Sequence, residues 1–145
     1  MRTIDMDHKS ASGPAYSGRM KRLIIDLDDT IAYCAEAGYA HALPNLALIA
    51  RLRDYQRDGF DIVISTSRNV RTYSGNVGKI NLHTLPLIVE WLSRHGVPCD
   101  ELHVGKPWCG TQGFYVDDKA VRPSEFLRYS LADISALLAD ERREA

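Results

Sequence analysis

Apolar positions along the chain fall into short runs separated by polar segments. Leu23, Ile24 and Ile25 make a strand-like run that breaks at once into Asp26, Asp28 and Asp29. Residues 45–58, NLALIARLRDYQRD, place Leu46, Ile49, Leu52 and Tyr55 at helical spacing, with Asn45 as cap and Gly59 as stop. Phe60–Ile64 predicts a second strand. Residues 69–82 carry Gly75 and Gly78 and predict a loop. Residues 84–95 predict a helix capped by Thr84, with Pro86 in its first turn and Gly96 at its end. Leu102–Val104 and Phe114–Val116 predict two further short strands. Residues 130–142 predict a last helix, with Leu131, Ile134, Leu137 and Leu138 on one side. Residues 1–20 are polar, small and aperiodic, and predict a flexible N-terminal arm before a single domain over 21–145.

Alternation of strands and helices points to an α/β fold with a mainly parallel sheet covered on both faces. In such sheets ligands sit at the carboxyl ends of the strands. The first strand ends at Asp26, the second at Thr66 and the last at Asp117, so one sheet edge is expected to collect these polar groups.

Composition changes this picture little. The 145 residues suit one domain, and 45 % apolar with 26 % charged residues is ordinary for a globular protein. A formal net charge of −1 gives no support to nucleic-acid binding. No apolar run approaches the roughly 20 residues that cross a bilayer, and the N-terminus lacks the apolar core of a signal peptide. Three scattered cysteines fit neither a disulfide framework nor a zinc site, which makes the cytoplasm the expected compartment. The five histidines share no ligand spacing.

The chemistry lies in the acids. Carboxylates held close together repel unless a cation sits among them. Asp26, Asp28, Asp117 and Asp118 around one point would suit Mg²⁺, which takes a few carboxylates and keeps waters. Such a site would draw a phosphate. Thr66 can donate to a phosphate oxygen and Lys106 can bring a compact positive charge. A carboxylate can then attack phosphorus, and a second one can serve as acid and base. Arg68, Arg71 and Lys79 read either as contacts for substrate anions or as solvated loop cations. Trp108 either stacks on a sugar face or simply packs. Cys109 has no paired histidine to make it a nucleophile.

The run Asp26-x-Asp28-x-Thr30 resembles the first motif of the haloacid dehalogenase-like superfamily. Thr66 in VISTSR, Lys106 in VGKP and Asp117–Asp118 after FYV resemble its second, third and fourth motifs, in order. That resemblance implies a Rossmann-like three-layer α/β/α sandwich. Asp26 is implied as nucleophile and Asp28 as general acid and base. Mg²⁺ is implied on the Asp26 carboxylate, the Asp28 backbone carbonyl, Asp117 and Asp118. The stretches SRNVRTYSGNVGKIN and VGKPWCGTQGFYVDDKAVRPSEF look like the capsule-biosynthesis phosphatase branch, over roughly residues 21–128. The implied substrate is a small phosphorylated metabolite, a sugar phosphate or another building block of surface polysaccharide.

Neither 32–43 nor 67–105 has room for a large cap domain, so the resemblance implies a capless core. Its site would be open, or covered by a short flap at 32–43 or by a neighbour in a homo-oligomer. Two other readings use related chemistry. A phosphotransferase sharing the aspartyl intermediate would want a cap to exclude water. A receiver-like phosphoacceptor domain would carry an aspartate where this chain has Ser65-Thr66-Ser67.

Overall fold

The structure, a computed structural model, describes residues 21–144. The expected arm at 1–20 lies outside the described residues. Ten elements follow in order: β1 (Arg22–Ile25), β2 (Ala32–Ala35), β3 (Gly38–Pro44), α1 (Leu46–Arg57), β4 (Asp61–Ser65), α2 (Val77–His83), α3 (Leu85–Arg94), β5 (Glu101–His103), α4 (Pro123–Arg128) and α5 (Leu131–Glu144).

Three strands form a parallel sheet in the order β1-β4-β5, with Ile24 opposite Val63 and Val63 opposite Glu101. Parallel neighbours need long crossovers, and helices supply them here. The β2–β3 hairpin and α1 join β1 to β4, and α2 with α3 joins β4 to β5. Ile62, Val63 and Ile64 are all buried. Successive strand residues face opposite sides, so both faces of β4 are covered. Arg22 reaches from β1 to Glu101 on β5, Nη2 to Oε2 at 2.8 Å. The fold is thus mixed α/β, with the carboxyl ends of three parallel strands at one edge. Among the described residues, no helix is long and apolar enough to cross a membrane.

The core gathers Leu48, Ile49, Leu52 and Tyr55 from α1, Ile88, Trp91 and Leu92 from α3, and Phe126 from α4. The inner stripe of α1 includes Leu48, whereas Leu46, expected on that face, points to solvent. Asn45 caps α1 as expected, its Oδ1 accepting from Leu48 N–H at 3.2 Å. Asn45 Nδ2 also donates to the Thr30 carbonyl at 3.2 Å, and its own N–H to the Ile31 carbonyl at 2.8 Å. The same side chain therefore starts the helix and braces the loop after β1. Asn45→Ala is expected to lower stability by about 1–2 kcal/mol, read as a lower urea midpoint. An unmoved midpoint would show that the cap is dispensable.

Three expectations are corrected. Residues 69–82 are not all loop, because Val77–His83 forms α2. Asn76 Oδ1 accepts from Lys79 N–H at 3.1 Å, and Ile80 is fully buried. One cap and one anchoring side chain outweigh the glycines, which tertiary packing can do in a short helix. The helix α4 precedes α5 and was not expected. Its capping box pairs Arg122 N–H with Glu125 Oε1 at 2.8 Å.

Phe114–Val116 is not a strand. Phe114 and Val116 are 79 % and 88 % exposed. Three apolar residues after a tight turn carry too few ladder bonds to insist on pairing. Instead, the Tyr115 hydroxyl turns back and donates to the Pro107 carbonyl at 2.6 Å. The turn itself requires Gly113, because a Cβ there would lie 2.2 Å from the Cys109 carbonyl oxygen.

Candidate active site

Asp26 follows β1 directly. Leu27 then plunges into the core, fully buried, while Asp26 and Asp28 flank it at a spacing of two, as alternation in an extended segment requires. The chain next closes a tight loop. The N–H groups of Ile31 and Ala32 both donate to the Leu27 carbonyl, at 2.9 and 3.0 Å. Asp29 takes the left-handed φ of 62° that aspartate tolerates better than most residues, and its N–H donates to the Ala32 carbonyl at 2.6 Å. Asp29 is an exposed, locally hydrogen-bonded turn residue.

The Asp26 carboxylate receives two donors. Thr30 Oγ1 donates to Oδ2 at 3.1 Å, and Lys106 Nζ lies 3.4 Å from Oδ1. Lys106 is 80 positions away in sequence, delivered by the loop after β5. Its N–H donates to the Thr66 carbonyl at 3.1 Å, and Thr66 N–H donates to the His103 carbonyl at 2.9 Å. Thr66, 1 % exposed at the end of β4, therefore ties β4 to β5 and to the lysine loop. Its hydroxyl accepts from Arg68 N–H at 3.1 Å, leaving its own proton to donate.

Asp28 forms a bidentate ion pair with Arg68. Nη2 donates to Oδ1 at 2.5 Å and Nε to Oδ2 at 3.1 Å. The Cys34 thiol donates to the same Oδ1 at 3.3 Å. Partial burial, and next the Asp28 charge, push that thiol up to about 12, so it stays protonated at neutral pH. The Arg68 guanidinium also lies 4.2 Å from the centroid of the Tyr39 ring.

A second aromatic group borders the lysine. Lys106 Nζ sits 4.3 Å from the Tyr115 ring centroid. Partial burial, then the neighbouring Cys109, raise the Tyr115 phenol, and both Ser67 and the Asp26 carboxylate act on it. Trp108 is partly exposed and carries the Arg71 guanidinium 5.2 Å from its ring centroid. Lys79 stands in the first turn of α2, exposed to solvent.

Asp26, Asp28, Thr66, Arg68 and Lys106 thus come together at the carboxyl edge of the sheet. Asp117 and Asp118 do not join them. They line a separate groove of about 450 Å³ with Glu125, Leu138, Asp140 and Glu141. Lys119 N–H donates to Asp117 Oδ1 at 2.9 Å, and this bond, with help from Asp118, holds the Asp117 carboxyl below its usual range. Phe114–Val116 pairs with no strand, so the strand end expected at Asp117 does not form. Among the described residues, no group of three or more His, Cys, Asp or Glu side chains could hold a metal ion.

Thr30, Tyr39 and Tyr115 take part in the site and were not foreseen as side-chain contacts. Thr30 stood within the first motif, four residues after Asp26, so its spacing was a usable signal. Tyr39 reaches a cation on another element and Tyr115 one across a turn, and no periodic pattern marks such pairs.

An MCSG target from Vibrio cholerae, known from a crystal structure, is similar to this chain. The two share 58 % identity across 84 % of this chain and 99 % of that one, with a TM-score of 0.82. No family model matches the chain, and no curated protein matches it.

Proposed function

We propose that this chain, which belongs to one family with the Vibrio cholerae protein, is a phosphomonoesterase working through an aspartyl-phosphate on Asp26. One observation carries the reading. Asp26 stands at the end of β1 with Lys106 Nζ 3.4 Å from one carboxylate oxygen and the buried Thr66 anchoring the lysine loop beside it. A carboxylate with a cation at its shoulder is arranged to meet a phosphate dianion. The four haloacid dehalogenase-like motifs give the same assignment.

In this reading an Asp26 oxygen attacks phosphorus, and the bond from phosphorus to the leaving oxygen breaks. Asp28, in the protonated form that acts as the acid, gives its proton to that leaving oxygen and is left as the carboxylate that pairs with Arg68. Water then attacks the phosphoryl group, Asp28 takes the water's proton, and phosphate leaves with Asp26 restored. Lys106 opposes the charge on the phosphoryl oxygens, and the Thr66 hydroxyl donates to one of them.

The resemblance also brings Mg²⁺ on Asp26, Asp28, Asp117 and Asp118. The residues as arranged do not fit it. The Asp26 carboxylate is engaged by Thr30 and Lys106, and the second acid pair lines another groove. No step above is routed through a metal. Dependence on Mg²⁺ would require residues 114–118 to leave their present path and reach Asp26.

The finer architecture belongs to the same proposal: a capless three-layer α/β/α core with the β2–β3 hairpin as its flap. So do a cytoplasmic location, a homo-oligomeric state, and a phosphorylated building block of surface polysaccharide as substrate. The capsule-biosynthesis resemblance supports that substrate class.

Phosphate release from a panel of phosphorylated sugars and small phosphomonoesters tests the function, run with Mg²⁺ and again with EDTA. Release from at least one sugar phosphate is expected. Release only with Mg²⁺ assigns a role to Asp117 and Asp118 after rearrangement, and equal release in EDTA leaves the chemistry to Asp26, Asp28 and Lys106. A silent panel under both conditions removes the phosphatase reading.

A further inference from the structure

Arg68 follows the second motif and is a natural candidate for a substrate anion. Its surroundings argue otherwise. The side chain is only 4 % exposed. One edge of its guanidinium is spent on both oxygens of Asp28, at 3.1 and 2.5 Å. Its face is covered by the Tyr39 ring at 4.2 Å. Its own N–H is fixed to Thr66 Oγ1 at 3.1 Å. A fork committed on edge and face has little left to offer a phosphate.

The other contacts of Asp28 come from the same direction. Cys34 on β2 donates its thiol to Asp28 Oδ1, and Cys34 N–H donates to Asp29 Oδ1 at 3.3 Å. The hairpin therefore touches the acid loop from β2 and touches Arg68 from β3 through Tyr39. We propose that Arg68 is a positioning residue that clamps Asp28 to the β2–β3 hairpin, so that the seating of Tyr39 on the guanidinium sets where the Asp28 carboxylate points. The inference rests on the phosphatase reading for its effect on turnover. The clamp itself can be observed without any substrate.

The full chain carries the test, as wild type, Arg68→Met, Arg68→Lys, Tyr39→Leu and the Arg68→Met/Tyr39→Leu double variant. The probe is the best substrate from the phosphate panel, alongside amide hydrogen exchange over residues 33–43. Arg68→Met is expected to lower kcat by roughly 100-fold, the low end of what a positioned acid and base contribute. KM should stay within about threefold, because no ground-state contact is lost. Arg68→Lys restores the charge but not the fork, and its kcat should remain well below wild type. Tyr39→Leu should lower kcat less. The double variant should match Arg68→Met within about twofold, since the two residues act through one group. Hairpin exchange should quicken by about tenfold in Arg68→Met.

A KM that rises with kcat preserved would make Arg68 a substrate contact and overturn the clamp. Additive losses in the double variant would overturn it too. Should Arg68→Met not melt cooperatively, Arg68→Lys and Tyr39→Leu decide by the same readings. If wild type releases no phosphate, the phosphatase reading fails and exchange alone decides: unchanged hairpin exchange overturns the clamp, and faster exchange upholds it.

Discussion

Asp26→Asn is expected to reduce phosphate release by at least about 10⁴-fold, the scale seen when a covalent nucleophile is removed. The amide nitrogen and oxygen occupy the same space but cannot attack phosphorus. Thr30 still finds an acceptor, and Lys106 loses only a partly exposed charge partner at 3.4 Å. Pairs of that exposure contribute little to stability. The melting temperature should therefore stay within about 5 °C of wild type. Activity and melting measured on one preparation separate the chemistry from the fold. Turnover above about 1 % of wild type would remove Asp26 as nucleophile, because that is far more than a lost nucleophile leaves behind. A large drop in melting temperature would instead give Asp26 a structural part that its contacts do not reveal.

Trp91→Ala should have the largest effect on stability. Trp91 lies on α3, almost wholly buried, and its Nε1–H donates to the Ala42 carbonyl on β3 at 3.1 Å. The substitution empties a large volume and leaves that carbonyl without its indole donor. Cavities of this kind cost about 3–5 kcal/mol, a large share of the roughly 5–15 kcal/mol that a domain possesses. Urea unfolding should show a much lower midpoint. Trp91→Phe keeps most of the volume and loses the hydrogen bond, so its smaller loss apportions the two contributions. If Trp91→Ala unfolds at the wild-type midpoint, the α3-to-hairpin contact contributes little.

Much of this arrangement was legible in the chain. The stripe of Ile49, Leu52 and Tyr55 and the cap at Asn45 marked α1 because both signals are local. The run of Ile62, Val63 and Ile64 marked a buried strand for the same reason. Asp26 and Thr66 could be placed at one edge because strand ends in a parallel sheet share a side, and the same reasoning had put Asp117 there. Phe114–Val116 failed because a short apolar run becomes a strand only where a partner edge takes it up, and pairing is not a local property. The strand end expected at Asp117 was lost with it. The contact of Tyr39 with Arg68 was invisible because it depends on how a hairpin leans across a loop. Their separation in sequence carries no trace of that angle.

The β2–β3 hairpin is pinned at its base by Asn45 and Trp91 and along its length by Tyr39. Only Glu36 and Ala37 separate its strands, both exposed, with Gly38 at a φ of 101° just beyond them. Insertions into exposed surface turns are tolerated far better than insertions into packed elements. The tip is therefore a place where foreign sequence can be spliced in, such as an epitope or a reporter peptide, while the pins below keep their grip. Grafted there, a label would ride on the element that touches Asp28 through Cys34 and Arg68 through Tyr39.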